Sequence, residues 1–194
     1  MEKGDRGFHS LTHMACPWWL GFTLVGPIRR ILHNPENILR PYVKQGMSAL
    51  DVGCGVGYFS LPLAEMVGPA GRVVCVDLQE RMIKWLERRA EKAGLSGNIE
   101  ARVCVNNSLG IDDLEGKVDF AIVFAMVHEV QDKERLAGEL YNSMKKGGML
   151  LVAEPKGHVS RDAFGKTVTL LTGHGLEVIG RPEIRLSRAV VLRK

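Results

Sequence analysis

The sequence is short of cysteine, of long apolar runs and of charge imbalance, and each shortage removes a class of protein. Four cysteines in 194 residues are too few for a disulfide scaffold. Cys54, Cys75 and Cys104 lie in or beside apolar runs, where a free thiol behaves as a small hydrophobe. A reducing, cytoplasmic setting is therefore expected. The most apolar stretch, residues 14–28 (MACPWWLGFTLVGPI), is shorter than the roughly 20 residues of a membrane span and contains Pro17 and Pro27. No small-residue cleavage site follows it, so it does not read as a secretory signal. The net charge of only +4 is compatible with an anionic partner without requiring one. Much of the excess sits at the end, in Arg181, Arg185, Arg188, Arg193 and Lys194, opposed only by Glu183. That pattern suits a charged edge strand that resists sheet stacking better than a nucleic-acid surface. The 22 glycines show no three-residue period, which excludes collagen, and a hydrophobic content of 45% excludes global disorder.

What is present is a regular alternation that begins at Met47. Apolar, β-branched runs at 47–52, 72–76, 99–105, 118–124 and 149–153 have the length of buried parallel strands. Helix patterns fall between them at 58–67, 79–93, 133–144 and 161–172, with a further helix expected over Asn37–Gln45. Gly94, Gly147–Gly148 and Gly173 stand where helix C-termini need positive φ. The last two runs, 176–179 and 189–192, leave no room for a helix and must form a hairpin. The expected fold is α/β: a doubly wound sheet of seven strands, mostly parallel, with an antiparallel C-terminal hairpin strand. Residues 46–194 form that domain, and residues 1–45 form an N-terminal extension or lid.

The most informative segment is ALDVGCGVGYFS, residues 49–60. A buried strand ends at Asp51–Val52, Gly53, Gly55 and Gly57 follow at alternate positions, and a helix begins. Glycines here permit positive φ and close approach of a ligand to the backbone, at the sheet edge where open α/β folds bind ligands. The spacing is not that of a dinucleotide fingerprint, because the sixth position is Tyr58, and no phosphate loop of the G-x-x-x-x-G-K-[ST] type occurs. The segment instead resembles the D-x-G-x-G-x-G loop of class I S-adenosylmethionine-dependent methyltransferases. The resemblance spans about residues 40–194. The run from Gly46 to Met82 looks most like small-molecule enzymes of the ubiquinone/menaquinone-biosynthesis and arsenite-methyltransferase type.

The resemblance implies a donor site of Asp51, Gly53, Cys54, Gly55, Gly57, Asp77, Leu78, Met82, Asn106, Asn107 and Ala125. Asp77 ends the second strand twenty residues after Gly57, where a carboxylate accepts from both ribose hydroxyls, although it also suits a helix cap. Asn106 or Asn107 would meet the adenine amino group, and carbonyls near Gly53 and Ala125 would hold the methionine amino group. Asp51 would support the loop, and Leu78 and Met82 would pack beside the adenosine. The position after strand four faces the methyl group, and His128 and Glu129 stand there. Displacement at a sulfonium releases a neutral thioether and needs no general acid. Alignment and a base for the acceptor's proton are what remain, and histidine suits the second task. Glu154, Lys156 and His158, after strand five, are further candidates for substrate contact.

No N-P-P-[YF] tetrapeptide follows strand four, which lowers planar-nitrogen acceptors in nucleic acid or protein. The expected activity is methyl transfer from S-adenosyl-L-methionine to a small molecule, leaving S-adenosyl-L-homocysteine. The alternatives are an RNA or protein methyltransferase and a non-catalytic cofactor-binding module. In the first 45 residues Trp18, Trp19 and Phe22 could wall an apolar pocket or present a surface to lipid or a partner. His9, His13 and Cys16 could share one helix face and have zinc-ligand chemistry, but no fourth ligand is evident, so no metal is expected.

Overall fold

The computed structural model describes residues 32–105 and 107–194. The chain runs α1 (Pro35–Leu39), β1 (Ser48–Val52), α2 (Ser60–Val67), β2 (Arg72–Asp77), α3 (Glu80–Ala93), β3 (Ile99–Val103), β4 (Val118–Phe124), α4 (Lys133–Ser143), β5 (Met144–Pro155), α5 (Arg161–Gly173), β6 (Glu177–Gly180) and β7 (Ser187–Arg193). One seven-stranded sheet has the order β3-β2-β1-β4-β5-β7-β6. The first five strands pair in parallel, and β7 is antiparallel to both β5 and β6. The strand order reverses between β1 and β4, so the crevice for a ligand opens at the carboxyl ends of those two strands.

Successive strand residues point to opposite faces, and both faces are covered. Leu50, Val52, Val123, Leu150 and Val152 pack with Leu136 and Leu140 of α4 and Phe164 of α5. Ala49, Cys75, Phe120, Ile122 and Leu151 pack on the other face with Leu39 of α1, Leu63 of α2 and Leu86 of α3. Full burial of a side chain such as Phe120 contributes about 1.5–3 kcal/mol. The α1 segment belongs to this core, since Leu39 and Val43 are buried and Tyr42 stacks on Phe120 with ring centroids 6.1 Å apart.

Local chemistry sets the helix ends. Asp132 accepts the Arg135 amide at the start of α4, and Ser160 accepts the Ala163 amide at the start of α5. Gly94 closes α3 at φ +71, as expected. The helix expected over 37–45 is instead the short α1, capped by Asn34 and ended at Arg40, because Pro41 has no amide N–H to continue the hydrogen-bond ladder. The run expected as a strand to residue 105 stops at Val103. Two glycine assignments differ as well. Gly173 lies inside α5, and Gly175 carries the positive φ of +101. Gly147 and Gly148 lie within β5, which is longer than the expected 149–153. Gly147 donates to the Lys194 carbonyl at 2.7 Å, and a Cβ on Gly148 would strike the Lys145 and Val118 carbonyl oxygens at 2.9 Å. The basic C-terminal strand is not at the edge: β7 lies between β5 and β6, and the four-residue β6 is the edge. Among the described residues no helix is long and apolar enough to cross a membrane.

Candidate functional site

The carboxyl end of β1 leads into a loop that the neighbouring strand holds open. The Gly53 and Cys54 amides both donate to the Val76 carbonyl, at 2.9 and 3.1 Å, and the Gly57 amide donates to the Cys54 carbonyl. All three glycines have positive φ: +73, +53 and +83. They meet different surroundings. A Cβ on Gly57 would lie 2.4 Å from Leu86 Cδ1 and 2.6 Å from Leu61 Cδ1, and one on Gly53 would lie 2.8 Å from Met126 Cγ. A Cβ on Gly55 would meet nothing within 4 Å. Gly57 therefore lets two helices close on the loop, whereas the Cβ position of Gly55 is open.

Asp77, at the tip of β2, faces this loop. Its Oδ2 accepts the Gly55 amide at 2.9 Å and its Oδ1 accepts the Gln79 amide at 2.8 Å. Both single-role readings of Asp77 are thus incomplete, because one carboxylate ties the glycine loop to the start of α3. Burial pushes its pKa up, against the opposing pull of the Gln79, Gly55 and Leu78 amides. Beside it Leu78 is 45% exposed, an apolar surface facing out, while Met82 is buried. Asp51 is buried and accepts the Ser60 hydroxyl at 2.6 Å, which joins the end of β1 to the first residue of α2. Cys54 is buried, and burial pushes its thiol well up, so it enters the site through its backbone. Asn107 is exposed after β3, and Asn106 lies outside the described residues. The loop around it is pinned by Glu139 of α4, which accepts from the Ser108 hydroxyl and the Leu109 amide, each at 2.8 Å.

The opposite wall comes from the ends of β4 and β5. Ala125 has φ +58, a left-handed conformation rare for a residue with a Cβ, and its amide donates to Ala153 O at 2.7 Å. The short turn Val127–Glu129 follows. Glu154 lies beneath that turn and is 1% exposed. Its Oε1 accepts the Met126 and Val127 amides at 3.1 and 2.8 Å, and its Oε2 lies 2.5 Å from His128 Nδ1. Glu129 Oε1 is 3.9 Å from His128 Nε2, and the His158 ring stands edge-on to His128 at 5.9 Å.

These features fit an adenosine-bearing methyl donor: an open position over Gly55, a carboxylate at the β2 tip, an exposed apolar side chain beside it, and a strained turn at β4. The model of the family described as "Methyltransferase domain" matches residues 43–174. The chain belongs to the class I S-adenosylmethionine-dependent methyltransferases. It is 32% identical over 127 residues to demethylmenaquinone methyltransferase from Geobacillus kaustophilus, covering 65% of this chain and 53% of that protein. It is 31% identical over 112 residues to the ubiquinone/menaquinone biosynthesis C-methyltransferase of an Enterobacter species, covering 58% of this chain and 44% of that protein. The chain thus spans about half the length of the curated relatives it matches. A crystal structure of an S-adenosylmethionine-dependent methyltransferase from Aquifex aeolicus superposes with a TM-score of 0.82 at 25% identity, covering 92% of this chain and 98% of that one.

Within this methyltransferase fold the sequence-derived residues lie at the carboxyl ends of neighbouring strands. Asp51, Gly53, Cys54, Gly55, Gly57, Asp77, Leu78 and Met82 belong to the β1–β2 side, and Ala125, His128 and Glu129 to the β4 side. His9, His13, Cys16, Trp18, Trp19 and Phe22 lie outside the described residues, and no metal-binding cluster occurs among the described ones. Three contributors carried no recognisable sequence signal. Arg89 of α3 donates to the Val56 carbonyl of the loop, Glu139 pins the loop after β3, and the Tyr58 hydroxyl donates to the His33 carbonyl at 2.8 Å. Their partners are 33, 30 and 25 positions away. Glu154 was visible in the sequence only as one of several polar residues after a strand, for which a solvated loop is the default expectation.

Proposed function

We propose that this protein transfers a methyl group from S-adenosyl-L-methionine to a small molecule, in a cytoplasmic setting. The observation that carries the reading is the pairing of Gly55, whose Cβ position is open, with Asp77, whose carboxylate reaches the same loop. Bound S-adenosyl-L-methionine supplies an electrophilic methyl carbon on a sulfonium, with a neutral thioether as the leaving group.

The chain's own residues divide the remaining work. Gly53, Gly55 and Cys54 supply backbone for the donor, and Asp77 has the lone pairs to accept ribose hydroxyls. Leu78 and Met82 would flank the adenosine, and Asn107 or Asn106 would meet its amino group. The carbonyls of Gly53 and Ala125 suit the methionine ammonium. Asp51 acts from behind, through Ser60. His128 and Glu129 stand on the acceptor side, where alignment of the nucleophile decides the rate. His33, near the start of the described residues, meets the domain beside the end of β4. It is held by Tyr58, lies edge-on to Phe124 with centroids 5.2 Å apart, and bonds through Nε2 to the Arg185 carbonyl at 2.8 Å. This junction supports a role for the extension in shaping the acceptor site. The resemblance to methyltransferases of ubiquinone and menaquinone biosynthesis makes quinone-type acceptors the first class to try.

Calorimetry with S-adenosyl-L-methionine and S-adenosyl-L-homocysteine tests the donor half: both bind, and absence of binding by either overturns the reading. Mass spectrometry of a cell extract incubated with protein and isotopically labelled donor tests the acceptor half. Label is expected in small molecules. Label confined to RNA or protein would move the assignment to macromolecular acceptors.

A further inference from the structure

The acceptor wall contains a buried carboxylate that no donor contact uses. Glu154 is 1% exposed, and its two oxygens are committed differently. Oε1 accepts two backbone amides, from Met126 and Val127. Oε2 meets His128 Nδ1 at 2.5 Å. A carboxylate only accepts, so the proton of that last bond belongs to Nδ1, and the lone pair of the neutral imidazole is left on Nε2. The His128 side chain is 26% accessible, so the ring is reachable while its Nδ1 edge is sealed against Glu154.

We propose that Glu154 is a positioning residue that fixes the His128 tautomer, and that the acceptor is a protic molecule, with a weakly acidic O–H or S–H, that gives its proton to His128 Nε2. The inference rests on the methyl-transfer reading above and specifies the chemistry of its acceptor. The acceptor's X–H bond breaks and its proton passes to Nε2. The electron pair left on the acceptor forms the new bond to the methyl carbon. The carbon–sulfur bond breaks with its pair remaining on sulfur, and the imidazolium later returns the proton to water. Glu154 keeps its bond to Nδ1 throughout and stabilises the imidazolium through it.

The same carboxylate ties base and donor wall together. By holding the Met126 and Val127 amides it fixes the turn that directly follows the left-handed Ala125, so the position of Nε2 and the shape of the β4 turn are set by one side chain. Glutamine cannot replace it. Two amides require an oxygen on one side, which leaves the side-chain NH2 of Gln facing Nδ1 as a donor. Nδ1 must then accept, the proton moves to Nε2, and the base is lost with little change of shape.

Nitrogen-15 NMR of the labelled, unliganded full chain tests this directly. Neutral His128 is expected with Nδ1 protonated and Nε2 bare, and E154Q is expected to reverse that assignment. A wild-type His128 protonated on Nε2, or the same tautomer in both proteins, would overturn the proposal. Should E154Q fail to fold, the wild-type spectrum still decides. In the labelled-extract assay, E154Q and H128A should each lower methyl transfer by about 100-fold, while calorimetry shows donor affinity changed no more than a few-fold. Full transfer by either variant also overturns it. Donor binding with the wrong tautomer would remove the dyad alone, whereas absence of donor binding would remove the underlying function.

Discussion

Asp77 Oδ2 accepts the Gly55 amide at 2.9 Å, so the residue suited to a ribose also shapes the loop that borders it. D77A should therefore weaken S-adenosyl-L-methionine binding by more than its lost contacts alone, because the Gly55 amide is released too. A loss of about 1.5–3 kcal/mol, or roughly 10- to 150-fold in Kd, is expected from a hydrogen-bonded charged group. The pH dependence has a definite sign. Burial raises the Asp77 pKa, so its contribution to folding is fully present below the ordinary aspartate range and is lost as pH rises through the raised value. Melting temperatures of the wild type and D77N should shift in favour of D77N across that window. Donor affinity should run the other way and fall on acidification, starting above the pH at which an ordinary aspartate protonates. Calorimetry and thermal melts at several pH values check both.

The two glycines flanking Val56 should separate folding from binding. In G57A the new methyl meets Leu86 and Leu61 carbon atoms inside van der Waals contact, at φ +83. In G55A the methyl meets no protein atom, and only the backbone cost of about 1–2 kcal/mol for a left-handed alanine remains. Urea denaturation should therefore show G57A to be much the less stable. G55A should stay folded and lose donor affinity, because its methyl occupies the open cleft. Equal donor binding by G55A and wild type would mean that the cleft over Gly55 is not the donor site.

These distinctions show where sequence was enough and where it was not. The strands and the glycine loop were legible because a doubly covered sheet needs uninterrupted apolar runs and a close backbone approach needs glycine; both are properties of consecutive residues. The extent of β5 was not legible. Gly147 and Gly148 look like a helix end in sequence, but their role is set by the Lys194 carbonyl and by the Val118 carbonyl of β4, both distant in the chain. The burial of Glu154 is hidden for the same reason. Its burial comes from a turn 26 and more positions earlier, and nothing adjacent to it announces that partner.

The loop after β3 rests on charge. Arg102 bonds Asp113 through Nη1 at 2.6 Å and Nη2 at 2.8 Å, and also bonds the Gly110 carbonyl. The guanidinium holds the Asp113 carboxyl down, at a pKa of about 2. A lowered folded-state pKa means stability that is present above the ordinary aspartate range and is lost as pH falls through about 2. Asp113 is exposed and screened, and Arg102, only 21% accessible, keeps Glu100 as a second partner, so D113N should cost only about 0.2–1 kcal/mol near neutral pH. The difference from wild type should shrink in acid and with added salt. Chemical denaturation at several pH and salt values measures it, and a cost that persists in strong acid would assign the role to packing instead of charge.

Ser60 tests whether Asp51 acts on the donor or behind it. The Ser60 hydroxyl donates to Asp51 Oδ2 at 2.6 Å, with both residues buried at the junction of β1 and α2. S60A removes one partner from a buried carboxylate, and such bonds contribute about 1.5–3 kcal/mol. The loss should appear mainly as stability in urea denaturation, because the pair lies beneath the loop and not in the cleft. Donor affinity should therefore fall less in S60A than in D77A, despite the greater burial of the Asp51–Ser60 pair. The reverse order would mean that Asp51 meets the donor directly, and that the loop over it opens further than the Val76 carbonyl bonds of Gly53 and Cys54 permit.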